Sequence, residues 1–283
     1  MPETHGLLSL RFEYDSMAAR TRLHVLEQRQ PLKVVRAFQL SGGAALVHLH
    51  NLSGGVLAGD KLSLDVTVGA NAKAQITSTS ATRIYKSRHE RHPAELTARV
   101  EVRENALLEY LPDPLIPFAG AKCSQHATVH LSDGAGLFWW ETLAPGRDAR
   151  GEVFSYDVLQ LGFELRVAGA PVVTERGSLN PASRPLTSSA RLGPYRYLST
   201  FYICRAGMAE TAWLDLEKQL SDLARHASSP VIIWGLTRLP AHGLIVRALS
   251  QNGREITRGL IAFWRIAKQA LFGEEALVPR KIY

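Results

Sequence analysis

The sequence predicts a mainly β protein, with a large multi-stranded β body of stacked or solenoid-like sheets followed by two C-terminal α-helices. From Leu7 to about Thr174, short segments of β type are separated by Gly, Asn, Asp and Pro, and helical periodicity is absent. From Ala209 onward, two segments instead repeat apolar residues at the spacing of an amphipathic helix. These two patterns divide the chain into a β part and a part that contains the helices.

The β body, residues 1–176, contains a series of candidate strands. The clearest is Lys61 to Val68, where every second residue is apolar, so that one face is buried and the other faces water. The predicted strands are Leu7 to Tyr14, Leu23 to Gln28, Leu32 to Gln39, Ala44 to Leu52, Lys61 to Val68, Ala72 to Ser78, Glu95 to Val102, Ala106 to Leu111, Gln125 to Leu131, Gly136 to Leu143, Gly151 to Val167 and Pro171 to Arg176. The pattern fits either a sandwich or a wound, solenoid-like stack.

A stretch rich in Ser, Pro and Gly, residues 177–194, predicts a loop or linker after the body. The C-terminal part, residues 195–283, is expected to pack on the body as one domain. Its second helix is followed by Gly273, the residue type that favours a helix C-terminus. The predicted elements are a strand near Tyr197 to Ile203, a helix from Ala209 to His226, strands from Ser228 to Leu236 and from Gly243 to Ser250, and a helix from Arg254 to Phe272.

The composition is typical of a folded, soluble protein with a basic surface. The chain has 283 residues, of which 46% are hydrophobic, and a formal net charge of +7, which suggests an acidic partner. The densest basic stretch, Arg83 to His92, holds a single aromatic residue, Tyr85, and no nucleic-acid motif occurs. We therefore expect a solvated or protein-docking surface there and no nucleic-acid partner.

The sequence has no long apolar run and few cysteines, and these two features predict the compartment and the redox state of the protein. No run of about 18 apolar residues occurs, and the first residues lack a basic segment followed by a long apolar one, so we expect a cytoplasmic protein without a membrane partner. The two cysteines, Cys123 and Cys204, are too few for a disulfide scaffold or a zinc site. Both are expected to be reduced packing residues.

A search for enzyme motifs indicates that the protein is not an enzyme. The phosphate-binding loop, the nucleophile elbow and the His-Glu-x-x-His motif are all missing. The alternative is a metal-dependent hydrolase that uses His48, His50 and Asp60, because residues two apart on a strand point to the same face. Such a pair on a half-exposed strand is also commonly hydrogen-bonded or solvated. His89 and His92 lie among cations that disfavour a further positive ion.

The segment from Leu52 to Lys86 is the most informative. Glycines at positions 54, 55 and 59 bracket a tight loop before Asp60, where larger residues would be sterically forbidden. A row of hydroxyl side chains follows after the next turn, and neutral oxygens suit transient contact with a cation better than tight binding of a transition metal. The row consists of Thr77, Ser78, Thr79, Ser80 and Thr82. A polar strand face would look the same.

This segment resembles the UreD (UreH) urease accessory protein family. Gly-Gly-x-x-x-Gly-Asp, ending at Asp60, and Ala-Thr-x-x-Tyr-Lys, residues 81–86, are similar to two family motifs. Further similar stretches occur in the family's order along nearly the whole chain, although Leu52-Ser53 replaces the usual Pro-Pro. These stretches are Glu109 to Pro112, Pro117 to Ala121, Trp140-Glu141, Gly146-Arg147, Gly151 to Phe154, Thr174 to Arg176 and Val278 to Tyr283.

The resemblance implies a function in urease maturation. Family members bind UreF, which recruits the nickel-carrying GTPase UreG, and they dock on apo-urease. Transient Ni²⁺ is thought to pass through their interior, with no tightly bound cofactor and no catalytic residue. Carried over by motif, the polar residues that would line such a passage are Asp60, Thr82, Glu141 and Glu175. A passage needs ligands weak enough to release the ion, which carboxylate and hydroxyl oxygens provide.

Overall fold

Two β-sheets face one another, and two α-helices cover the outer side of the larger sheet. This computed structural model describes residues 4–86 and 92–279, so His89 and the end of the C-terminal motif, 280–283, lie outside the described residues. The mainly β fold class is confirmed. Among the described residues, no helix has the length and apolar character needed to cross a membrane.

Within the described residues, the smaller sheet has seven strands, in the order β15-β14-β12-β9-β6-β1-β2. They are β1 (His5–Asp15), β2 (Arg20–Arg29), β6 (Lys61–Val68), β9 (Ala94–Val102), β12 (Lys122–Leu131), β14 (Val158–Val167) and β15 (Ala170–Leu179). The strand that showed the clearest alternation, β6, buries Leu62, Leu64, Val66 and Val68 and turns its polar residues outward, as predicted.

The larger sheet has eleven strands in the part of the chain that the structure describes, with the main order β17-β18-β16-β13-β10-β7-β5-β3. They are β3 (Leu32–Lys33), β4 (Ala37–Gln39), β5 (Ala45–Asn51), β7 (Lys73–Ser78), β8 (Thr82–Ile84), β10 (Leu107–Tyr110), β11 (Leu115–Pro117), β13 (Gly136–Leu143), β16 (Tyr197–Arg205), β17 (Ile232–Arg238) and β18 (Gly243–Ser250). The helices are α1 (Glu210–Ala227) and α2 (Gly253–Phe272). Because β16 pairs with β13, the C-terminal part continues the sheet of the body.

The body is wound as a short solenoid. From β5 to β14 the chain passes repeatedly from one sheet to the other. Within the smaller sheet β6, β9, β12 and β14 pair in parallel, and within the larger sheet β5, β7, β10 and β13 do the same. Parallel neighbours require a crossover between them, and here the crossover passes through the opposite sheet. The successive turns therefore enclose one interior between the two sheets.

Alternation along β13 separates two apolar cores. Leu137 and Trp139 point between the sheets, while Phe138 and Trp140 point toward the helices. The second core is the one that the helices cover, and it holds most of the apolar residues of the C-terminal part.

Helix α2 has a defined start and end. At its N-terminus the side chain of Asn252 accepts a hydrogen bond from the backbone N–H of Arg254, which satisfies one of the free donors of the first turn. The helix ends at Gly273, whose φ of 65° is left-handed, as predicted. Its predicted apolar stripe is buried: Ile256, Leu260, Phe263, Trp264, Ala267 and Leu271.

Several predicted boundaries are wrong for local physical reasons. The strand predicted from Gly151 begins only at Val158, because residues 151–157 form a loop that buries Phe154 and Tyr156. The strand predicted over Leu32 to Gln39 breaks into β3 and β4. Strands β8 and β11 were missed, since three residues are too short to show alternation. Strand β15 extends to Leu179, into the predicted linker.

Candidate functional site

A cavity of about 170 Å³ lies between the two sheets. On the larger sheet it lies at the carboxyl ends of β5, β7 and β10, where the chain leaves each strand for the next turn of the solenoid. Polar groups concentrate at this end, and the opposite wall, formed by the smaller sheet, is mainly apolar. The polar residues that line the cavity include His50, Asn51, Ser78, Thr79, Ser80, Thr82, Arg83, Thr97, Asp113, Gln125, His126 and Glu141.

Glu141 places a carboxylate where alternation would otherwise place an apolar side chain. It follows Leu137 and Trp139 on the inward face of β13 and lines the cavity. Its Oε1 accepts hydrogen bonds from Gln125 Nε2, at 3.0 Å, and from Trp139 Nε1, at 3.2 Å. Among the described residues, no Lys, Arg or His forms an ion pair with it. The carboxylate is therefore oriented by neutral donors and faces space that a cation can enter.

The environment of Glu141 raises the pKa of its carboxyl to about 7. Burial is the main cause, and the negative charge of Glu175 adds to it, while the hydrogen bonds from Trp139 and Gln125 act in the opposite direction. Near neutral pH this carboxyl is therefore partly ionised, and a cation that binds beside it would favour the ionised form.

Glu175 lies beside the cavity without lining it. It is on β15, the edge strand of the smaller sheet, opposite Phe163 of β14. Its Oε1 forms an ion pair with Arg247 of β18, which bridges the two sheets at this edge. Burial, followed by the charge of Glu175 and a hydrogen bond with its carboxylate, raises the pKa of the Tyr202 hydroxyl. Glu175 thus has local partners that a structural role would require.

Aromatic rings connect the neighbourhoods of Glu141 and Glu175. Trp139 stacks on Tyr110 with ring centroids 3.9 Å apart, and Phe163 stacks on Tyr202 at the same distance. Trp139 and Phe163 are in turn 5.7 Å apart. Such contacts fix ring positions tightly. The Trp139 indole that donates to Glu141 is therefore held rigidly from both sides.

The hydroxyl row divides into cavity-lining and structural members. Ser78, Thr79, Ser80 and Thr82 line the cavity. Thr77 instead donates to the backbone carbonyl of Leu111 at 2.7 Å inside the sheet. The row therefore supplies neutral oxygens at the rim formed by the β7–β8 connection.

Asp60 lies apart from the cavity lining. It is 5% exposed, and its Oδ2 accepts the backbone N–H of Leu57 at 2.8 Å. Its own N–H donates to the carbonyl of Leu57, and its carbonyl accepts the N–H of Glu95. The carboxylate closes the glycine-rich turn that precedes β6. Of the four predicted passage residues, Thr82 and Glu141 thus share the cavity, Glu175 lies to its side, and Asp60 stabilises a turn.

The histidines of β5 do not support the hydrolase alternative. His50 lines the cavity, whereas the His48 ring packs edge-on against Phe38, with centroids 5.7 Å apart. Within residues 4–86 and 92–279, no group of three or more His, Cys, Asp or Glu side chains is arranged to hold a metal ion. Cys123 is buried, as predicted, and burial raises the pKa of its thiol to about 12.

Two residues that orient Glu141 were missed from the sequence. The sequence predicted Trp139 only as part of a strand, and Gln125 only as the start of one. Gln125 lies on β12 of the opposite sheet, and only the winding of the solenoid brings it to Glu141. A polar residue among the inward-facing Cys123 and Ala127 was the available signal.

Comparison with known proteins identifies the family of this chain. The profile of the UreD urease accessory protein family matches residues 4–282. Urease accessory protein UreD of Herpetosiphon aurantiacus is 45% identical over 282 residues, which cover 99% of this chain and 96% of that protein. Urease accessory protein UreD of Pseudomonas aeruginosa is 30% identical, with coverage of 99% and 95%. The chain is a member of the UreD urease accessory protein family.

Proposed function

We propose that this protein is a non-enzymatic accessory protein of urease maturation that acts in the cytoplasm. In this proposal it binds UreF, and through UreF the GTPase UreG, to apo-urease, and it passes nickel toward the urease active site. Membership of the UreD family supports the role in urease maturation, because the related proteins are named urease accessory proteins.

The proposal that nickel passes through the interior rests on the properties of the Glu141 carboxyl. It is oriented by two N–H donors, lines an interior cavity and has a pKa of about 7. A buried carboxyl without a cationic partner is unfavourable for stability unless it is protonated, hydrated or used. Coordination of a passing divalent cation would offset that penalty.

The donors around the cavity suit transfer rather than storage. Nickel binds firmly to clusters of His and Cys, whereas single carboxylates and neutral hydroxyls hold it weakly. Glu141 supplies one charged oxygen, and the rim residues Ser78 and Thr82 supply neutral oxygens. An ion that meets such donors one after another can enter and leave, as conduction requires.

Replacement of Glu141 by Gln tests this proposal. Gln retains an oxygen that can accept from Trp139 and Gln125, so the fold is preserved while the charge is lost. The variant chain is co-expressed with urease and its accessory proteins, and the nickel content and activity of the purified urease are measured. A matched control is Glu101→Gln, on the outer face of the smaller sheet, where Glu101 pairs with Arg103.

We expect Glu141→Gln to lower the nickel content of urease, with the accessory complex still assembled, and Glu101→Gln to leave it unchanged. Full nickel content of urease with Glu141→Gln would contradict nickel passage at Glu141 but would leave the proposed scaffold role unaffected. Failure of the wild-type chain to co-purify with any urease component would contradict the scaffold itself.

A further inference from the structure

Exposed apolar side chains concentrate at the N-terminal end of the solenoid. In the described part of the chain, six of the eleven exposed large apolar residues lie between Tyr14 and Phe38. Four of them belong to β2, to β4 and to the segment that leads into β4: Val25 (44% exposed), Leu26 (53%), Val35 (68%) and Phe38 (40%). Exposed apolar residues that are concentrated in neighbouring segments mark an interaction site more often than scattered single residues do.

Two hydrogen bonds hold these residues side by side. Gln28 Oε1 accepts the backbone N–H of Val34 at 2.9 Å, and Gln39 Nε2 donates to the carbonyl of Thr21 at 2.8 Å. The bonds join opposite ends of β2 to opposite ends of residues 34–39. The four exposed apolar residues belong to the two segments that these bonds join, and we call these four side chains the end patch.

A β-bulge contributes to this exposure. In the pairing of β1 with β2, Ser9 is opposite Glu27 and Leu10 is opposite Val25, which leaves Leu26 as the extra residue. A bulge of this kind interrupts alternation and turns neighbouring side chains outward. Strand β2 is also the edge of its sheet, and no described strand pairs with its outer side.

The end patch has an excess of basic residues around it. Residues 13–44 contain five Lys or Arg residues and three acidic residues, Glu13, Asp15 and Glu27. Arg22 and Arg29 form ion pairs with Asp15 and Glu27. The three other cations, Arg20, Lys33 and Arg36, form no ion pair with a described carboxylate. The Arg36 guanidinium lies 4.5 Å from the Phe38 ring centroid, so charge and apolar surface are adjacent.

We propose that the end patch docks an acidic protein surface with an apolar centre, contributed by one component of the urease assembly. This inference rests on the scaffold function proposed above. Complementary charge favours such a partner and disfavours a second copy of this chain, because two identical basic patches would repel one another. Exposed aliphatic residues favour a protein over a nucleic acid, which would require stacking aromatics among the cations.

Charge reversal tests the basic component. The double variant Arg20→Glu, Arg36→Glu is co-expressed with urease and its accessory proteins, and the components that co-purify are quantified. The control Arg254→Glu, Arg265→Glu makes the same change of charge on the exposed face of α2. We expect the end-patch variant to retain about tenfold less of one component, since like charges at an interface oppose docking, and the α2 control to match wild type.

Photocrosslinking identifies the occupant directly. A photoreactive amino acid replaces Val35, or Leu214 on α1 as the control, which is also exposed. We expect Val35 to crosslink to an acidic segment of a urease component. A crosslink from Val35 to a second copy, a nuclease-sensitive complex, or equal retention by both double variants would overturn the proposal. If wild type retains urease components in those experiments, the scaffold function survives the loss of this inference.

Discussion

The carboxylate of Glu109 and the ammonium of Lys268 form a buried ion pair, with Oε2 and Nζ 3.0 Å apart, that joins β10 to α2. The other carboxylate oxygen of Glu109 accepts the indole N–H of Trp264 at 2.8 Å. Both charges lie within the apolar core beneath the helices. Because both oxygens of Glu109 must find their partners on α2, this cluster fixes how the helix lies on the sheet.

Loss of one partner of this pair should destabilise the fold strongly. Lys268→Met leaves the Glu109 carboxylate buried without a counter-charge, and such changes lower the free energy of unfolding by about 3 to 5 kcal/mol. The double variant Glu109→Met, Lys268→Met removes both charges and should recover much of that loss. Chemical denaturation of the three proteins measures this. A single variant as stable as wild type would contradict a structural role for the pair.

We expect Trp264 to stabilise the fold mainly through its packing in the core. It is fully buried and packs edge-on against Trp140 of β13, with centroids 6.1 Å apart. Trp264→Ala should lower the free energy of unfolding by about 3 to 5 kcal/mol. Arg265→Ala, at the adjacent exposed position, should have little effect. Thermal melts of both variants provide the comparison, and equal melting of the two would show that α2 is packed differently.

The sequence correctly predicted those elements in which buried and exposed residues alternate with the period of a single strand or helix. The period of β6 and the apolar stripe of α2 are both local patterns, and both were confirmed. Strands β8 and β11 depend instead on pairing with each other across more than 30 residues of chain, Thr82 opposite Leu115. The sequence holds no local trace of that pairing. The sequence likewise did not distinguish a solenoid-like winding from a sandwich.

Residues of the candidate site could be predicted from the sequence only where they belong to a family motif. Thr82 and Glu141 came from the family resemblance, and the structure places both at one cavity. Gln125 could not be assigned a role, because its contact with Glu141 joins two sheets. Asp60 showed the same motif signal as Glu141, although its carboxylate is turned into its own loop. A motif identifies a residue without specifying the direction of its side chain.

The stability of the protein should depend on the ionisation of Glu141. The pKa of this carboxyl is about 7 in the folded chain, against an ordinary value of 4.5. The contribution of Glu141 to stability is therefore fully present below about pH 4.5 and is lost as the pH rises through 7, because its carboxyl ionises more easily in the unfolded chain. A pKa difference of this size corresponds to about 3 kcal/mol at most.

Glu141→Gln isolates this contribution. The variant should be more stable than wild type above pH 7, since it has no charge to bury, and the difference should vanish near pH 4.5. Denaturation midpoints across that pH range measure it, with Glu101→Gln as the exposed control. A constant difference between Glu141→Gln and wild type at all pH values would mean that Glu141 does not titrate near neutrality in the folded protein.

Two substitutions of Asp60 distinguish a structural role of this residue from a role in nickel passage. Asp60→Ala removes the acceptor of the Leu57 N–H, and an unsatisfied buried donor lowers stability by about 1 to 3 kcal/mol. Asp60→Asn keeps an oxygen in the same position and removes only the charge. We expect the Asn variant to unfold like wild type and to support normal nickel content in co-purified urease, with Ala less stable. A stable Asn variant that delivers less nickel would instead assign the Asp60 charge to the passage, because the turn would then be intact and only the charge missing.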